Sequence, residues 1–164
     1  MPTANRVPII VCLGVGLLGS ALDASANQAT PVPLSERARG ADLVVVGRVA
    51  SVEPVWQVNE FGDRLIVSVV RVVVNETLKG QAIPTVDVEV EGGTIGELTL
   101  HVSDGTSFSP GERAVFYLKR TARGTLVPHL RGLGLLKLDA FDRVSGSSLT
   151  LAEIRRQVAA GNAQ

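Results

Sequence analysis

The sequence predicts an all-β fold: a small barrel of five to six strands, followed by one C-terminal helix and preceded by an export signal. Three observations carry this. The stretch Leu65 to Gly80 reads LIVSVVRVVVNETLKG, and eight of its first ten residues are Leu, Ile or Val. Side chains branched at Cβ are stiff and pack well on a pleated surface, so this is a strand. Val86 to Glu91 alternates strictly, with Val86, Val88 and Val90 set against Asp87, Glu89 and Glu91, as a half-buried strand does. At the amino terminus, Arg6 precedes an apolar run from Ile9 to Leu22, and Ala24-Ser25-Ala26 follows. That is the layout of a cleavable leader.

The leader sets the compartment. Its apolar run of 14 residues falls short of the ~20 a membrane-spanning helix needs. Cleavage near Ala26 leaves about 138 residues, secreted or periplasmic, with no stable membrane anchor. Cys12 lies inside the leader and is the sole cysteine. The processed chain therefore has no disulfide to lean on and depends on its core. A domain of that size buries somewhat under ~70% of its unfolded surface, which suffices. The 16 basic and 16 acidic groups balance, so no electrostatic attraction to nucleic acid or an anionic membrane is expected.

Asn27 to Pro33 is a polar, Pro-containing lead. Leu34 to Gly40 (LSERARG) is a short helix or turn, with Ser35 as N-cap and Gly40 as stop. Ala41 to Val58 is the first strand. Gly47 marks a bulge or bend within it, and Pro54 ends or kinks it. Asn59 to Asp63 is a turn into the second strand, Arg64 to Asn75, whose inner face is Ile66, Ser68, Val70, Val72 and Val74. Glu76 to Pro84 is a connection in which Leu78 dips into the core and Lys79-Gly80 turns. After Val86–Glu91, Gly92-Gly93 turns the chain. Glu97 to Ser103 then forms a strand with Leu98, Leu100 and Val102 inward.

Ser103 to Ser109 is a loop anchored by Phe108, and Pro110-Gly111 suits a type II turn. Arg113 to Arg120 is a strand with Ala114, Phe116 and Leu118 on one face. A turn at Arg123-Gly124 leads to Thr125–Leu130, and Leu133 to Leu138 is the last strand. Thr150 and Glu153 stand at capping-box spacing before a helix over Leu151 to Ala160, ended by Gly161. The domains are then residues 1–26 (leader), 27–40 (flexible lead and short helix), 41–142 (barrel) and 143–164 (linker and helix). This order is the outline of an OB-like Greek-key barrel.

The segments ADLVVVGRVASVE, VVVNETLKG, VEVEGGTIGELTLHVSDGTSFSPGERAVFYL and GLGLLKLD resemble a family of exported bacterial proteins of uncharacterised function. More remotely, they resemble the netrin-type domain of tissue inhibitors of metalloproteinases. The resemblance spans roughly Ala41 to Asp139 and rests on turn glycines and core positions. It implies the barrel fold and makes a peptidase a conceivable partner. Those inhibitors reach the catalytic zinc through an amino-terminal cysteine, which this processed chain lacks, so no functional residue transfers.

No catalytic, cofactor or metal site is expected. His101 and Asp104 lie near Ser103, Ser107 and Ser109, but without nucleophile-elbow spacing. His101 and His129 lack metal-ligand spacing. Asp87, Glu89, Glu91 and Glu97 form a row of carboxylates roughly 6–7 Å apart rather than a calcium loop, and Arg64, Arg71 or Arg113 would neutralise them across the sheet. One Trp and one Tyr make no base-stacking platform. The favoured reading is a non-enzymatic module that binds another exported protein at the barrel rim. Its candidate contacts are Trp56, Phe61, Thr94 and Ser107, in the Trp56–Gly62, Gly92–Gly96 and Ser103–Ser109 regions; Trp56, just past Pro54, is either a core residue or an exposed anchor at that rim. The alternative is a secreted hydrolase or metal-dependent enzyme using His101, Asp104 and His129, which requires those groups to converge. A small-ligand carrier would need an open barrel interior, against the density of Val and Leu.

Overall fold

The computed structural model describes residues 32–59 and 61–163. The expected leader, its cleavage site near Ala26, Cys12 and the start of the polar lead lie outside the described residues. The elements are α1 (Leu34–Gly40), β1 (Leu43–Val58), β2 (Arg64–Lys79), β3 (Thr85–Glu91), β4 (Gly93–Ile95), β5 (Leu98–Leu100), β6 (Arg113–Arg120) and β7 (Leu126–Pro128), then a 3-10 turn (Arg131–Gly134), β8 (Leu135–Leu138) and α2 (Leu151–Asn162).

Six strands form one sheet in the order β1-β2-β3-β7-β6-β8, and β1 pairs a second time with β6 over Leu43–Arg48. All pairings are antiparallel except β3 with β7, which meet in parallel at the single pair Val88–Leu126. β4 and β5 make a separate two-stranded hairpin.

The sheet is buried on two sides. One face gathers Val45, Val49, Val70, Val72, Val88, Phe116 and Leu118, with Phe108 inserted from its loop as expected. Phe108 lies 5.3 Å from Phe116, centroid to centroid. The opposite face, carrying Val44, Val46, Val115 and Tyr117, packs under both helices through Ala38, Leu151, Ile154 and Val158. The two-sided burial explains the unbroken apolar runs LVVV and AVFYL, because a strand covered on both faces loses its alternation. Truncating Phe116 to Ala at the centre of the first layer would cost about 3–5 kcal/mol.

Gly47 behaves as the sequence suggests: the β1–β2 register shifts between Val46 and Gly47, and again between Val49 and Ser51. A Cβ on Gly47 would collide with the Val72 side chain and the Val73 carbonyl. Pro54 neither ends nor kinks β1, which pairs with β2 through to Val58. Asn59 N–H bonds the Asp63 carbonyl, so Gln57, Val55 and Glu53 direct their backbone polar groups at β2. Pro54 falls in the other set, where an N–H would point away from β2, and its missing donor costs the ladder nothing.

Other boundaries move for similar reasons. β2 continues through Glu76–Lys79, read from sequence as a connection, because Val44, Val45 and Val46 pair with Lys79, Thr77 and Glu76. Glu97–Ser103 is not a long inward-facing strand. It yields only β5, with Leu98 61% exposed. The type II turn stands, with Gly111 at φ +92° and Glu112 N–H bonding the Ser109 carbonyl.

Ser35 does not cap α1. Pro33 holds the N-cap position without a side-chain bond, its fixed φ being already compatible with a helix start. The far end of α1 is tied by Lys79, whose Nζ donates to the carbonyls of Ala38 (2.7 Å) and Ala41 (2.6 Å). A cation there meets the orphan carbonyls of the last turn. α2 starts with the expected capping box: Thr150 N–H bonds Glu153 Oε2 at 2.9 Å, and Glu153 N–H bonds Thr150 Oγ1 at 3.3 Å. Gly161 is not a terminator but lies inside α2, where a Cβ would sit 2.5 Å from the Ser35 carbonyl oxygen. Its role is to let α1 approach.

Candidate functional site

The long β1–β2 hairpin reaches past the rest of the sheet, since β6 follows β1 only to Arg48 and β3 follows β2 only to Val67. Two concave regions lie on either side of this extension. One is a cavity of about 250 Å³ at the end of the inner layer, floored by Val52, Val70, Val90 and Phe108 and bordered by Thr94, His101 and Ser107. The β4–β5 hairpin stands over it. Gly92 and Gly93 have φ of +103° and +139°, and Ser68 Oγ donates to the Gly92 carbonyl at 2.7 Å.

The other region is an outer-face groove of about 540 Å³. Leu65, Val67 and Val127 form its floor. The β1–β2 turn with Phe61 makes one lip, the β6–β7 turn with Thr121 and Arg123 the other, and Glu89, Glu91 and Arg131 add charge. Val67 is 3% exposed, whereas Phe61 is 82% exposed. A smaller cavity of about 190 Å³ opens where β3 and β7 splay apart, between Val90, Val102, Val127 and Leu135.

Arg131 links these regions. It lines both the groove and the splay, reaching Glu91 at 3.8 Å and Asp104 at 3.5 Å. Leu130 and Arg131 both hold left-handed backbone, φ 59° and 52°, a conformation that costs non-glycine residues energy. No local signal marked this pair, which stands where the chain passes from β7 into the 3-10 turn and on, in the same direction along β6, to β8.

The four candidate contacts divide between these places. Thr94 and Ser107 border the inner cavity and Phe61 the outer groove. Trp56 lines neither; it is 39% exposed with Arg64 stacked 4.4 Å over its ring. The three residues of the enzymatic alternative sit in different surroundings. His101 borders the inner cavity, and Asp104 pairs with Arg131. His129 lies against Gly40 at the end of α1, with Lys119, Asp42 and Lys79 as charged neighbours. Burial, and then the Lys119 ammonium, holds the His129 imidazole below its ordinary value. Among the described residues no cluster of three or more His, Cys, Asp or Glu could hold a metal ion.

The acidic row is partly neutralised across the sheet. Arg71 forms a two-pronged bond to Asp87, 2.8 Å at each oxygen, and this holds the Asp87 carboxyl below the usual range. Lys137 clamps Glu112 at 2.8 Å. Burial pushes the Glu112 carboxyl up, but Lys137 and the Ser109 N–H together outweigh it and leave the carboxyl lowered. Arg37, a buried residue of α1, donates to the carbonyls of Val32 (2.9 Å) and Leu133 (2.7 Å). Neither protein-family models nor curated proteins match this sequence.

Proposed function

We propose that this chain is an exported, non-enzymatic binding module whose OB-like barrel presents the outer groove between Phe61 and Arg123 to a segment of another protein. The observation that carries the reading is the groove itself: an apolar floor between two hairpin turns, with an aromatic on one lip and both signs of charge at its edge. Binding surfaces combine an apolar centre, aromatic anchors and a polar rim in this way. The barrel reading is supported by β1 pairing with both β2 and β6 and by the parallel contact of β3 with β7. In OB barrels the face of strands two and three, between two hairpin loops, is where ligands bind. Export rests on the leader sequence, and the netrin-type resemblance makes a peptidase one candidate partner.

Site-specific photo-crosslinking tests this. Phe61 and Phe141 are equally exposed, 82% each, but only Phe61 borders the groove. With a crosslinking residue at each position in turn, position 61 should capture a defined protein in the secreted or periplasmic fraction, and Arg123→Glu should abolish the capture. Equal capture at position 141 would refute the groove as the binding surface.

A further inference from the structure

The outer edge of β1 is an open strand edge. Its neighbour β6 departs after Arg48, while β1 runs ten residues further to Val58. Val49 is still occupied, its N–H bonding the Glu112 carbonyl and its carbonyl accepting from Gly111 N–H. Past it, the residues whose backbone polar groups point away from β2 are Val52, Pro54, Trp56 and Val58, as the Asn59–Asp63 bond dictates. Among the described residues no strand is paired along this edge beyond Arg48. Two of these four apolar residues are exposed, Trp56 and Val58, the latter 56%. Proteins normally blunt such edges with charge or proline. Here Pro54 removes one donor and leaves Trp56 and Val58 complete.

We propose that this edge pairs, antiparallel, with the same edge of a second copy of the chain, Trp56 of one lying opposite Val58 of the other. The occupant follows from symmetry and register. A strand edge is self-complementary under a two-fold axis, each residue i meeting j while j meets i. Placing the axis at Gln57 pairs Trp56 with Val58 twice over, and both exchange N–H and C=O without using Pro54. Placing it at Trp56 would set Pro54 opposite Val58 and lose a bond on each side. Pro54 therefore selects the register. The Gln57-centred pairing also puts an aromatic beside a β-branched side chain on one face, a favourable cross-strand pair. Equal numbers of acidic and basic groups in the chain mean that two copies do not repel at long range. So short an interface buries less than the ~1,200 Å² of standard complexes, and the dimer is weak, forming at tens of micromolar or above. Its axis stands perpendicular to the sheet, so both outer grooves face the same way.

The test uses the full chain carrying Cys12→Ser, so that an introduced thiol is the only one. Gln57→Cys places the two thiols at the axis in a non-hydrogen-bonded pair, with Cα atoms roughly 4.5 Å apart, within disulfide reach. Val55→Cys shifts them apart by two residues on each strand. The expected result is a disulfide-linked dimer on mild oxidation for Gln57→Cys and little for Val55→Cys. Sedimentation equilibrium of the Cys12→Ser chain should show a concentration-dependent dimer, weakened at least tenfold by Trp56→Lys. Val58→Pro, which removes an outward donor and no β2 bond, should weaken it likewise. A chain that stays monomeric to several hundred micromolar with no Gln57→Cys crosslink overturns the proposal. So does preferential crosslinking at position 55, or a β1 edge occupied in the native extract by a different protein.

Discussion

Gly161→Ala sets helix propensity against packing, and the structure decides which wins. In an exposed helix this substitution stabilises by roughly 0.8–1 kcal/mol, because glycine leaves the backbone too free. Gly161 lies in α2 against α1, where a built Cβ would stand 2.5 Å from the Ser35 carbonyl oxygen and 3.3 Å from Ala38 Cβ. Carbon contacts are optimal at roughly 3.5–4.0 Å, so the helices must part by about 1 Å. Ser35 O belongs to the backbone and cannot rotate aside. Parting the helices loosens Ala38 from Ile154 and Val158 in the layer they share. Forcing a methyl into a packed interface costs about 1–3 kcal/mol, which outweighs the propensity gain and leaves a net loss of about 1 kcal/mol. With a urea m-value of roughly 1–3 kcal/mol/M, the midpoint should fall by about 0.5 M. The exposed neighbour Ala160, changed to Gly, should also lose about 1 kcal/mol, so opposite substitutions one residue apart both destabilise. A Gly161→Ala midpoint at or above wild type would show slack between the helices and refute the close-approach role.

Two further predictions follow from buried or clamped groups. The Glu112 carboxyl is lowered in the folded chain, so the stability it supplies is complete above its unfolded value of 4.5 and is lost as pH falls through the lower folded value. Urea melts between pH 5 and 3 should therefore fall more steeply for wild type than for Glu112→Gln, and parallel slopes would show that the Lys137 clamp contributes nothing. The Tyr117 hydroxyl is buried with no hydrogen-bond partner among the described residues, and burial pushes its pKa up to about 12. Tyr117→Phe removes an unsatisfied polar group and should leave stability unchanged or raise it by up to ~1 kcal/mol, whereas a thermal midpoint lowered by several degrees would mean that the hydroxyl has a partner.

Much of the fold is legible residue by residue. The β-branched run Val67–Val74, the alternation of Val86, Val88 and Val90, the Pro110-Gly111 turn and the Thr150–Glu153 capping box are local features, and each stands where the sequence puts it. Among the candidate contacts, Phe61, Thr94 and Ser107 are legible in sequence as loop residues, while Trp56 is open there between core and rim. Trp56, Phe61, Thr94 and Ser107 each lie at the surface, yet the chain distributes them over an edge, a groove and a cavity. Arg131 and Lys79 gave no sign of their roles, because their partners lie far away in sequence: Asp104 and Glu91 for one, the carbonyls ending α1 for the other.

The amino-acid order alone determines that the chain is built of strands and turns and where most of them start, because stiff side chains, alternation and turn residues act over a few positions; how far β2 runs and how little of Glu97–Ser103 pairs is set by distant partners. It also determines the class of surface available, a charge-balanced chain with few aromatics. Tertiary structure decides whatever depends on a distant neighbour. It makes Gly161 a contact rather than an end, since α1 lies across it. It makes Pro54 harmless, since only the β1–β2 register says which way an absent N–H would point. It buries Val115 and Tyr117 under helices that a single strand cannot anticipate. In each case the deciding quantity is the approach of two segments far apart along the chain, which no short window of residues encodes.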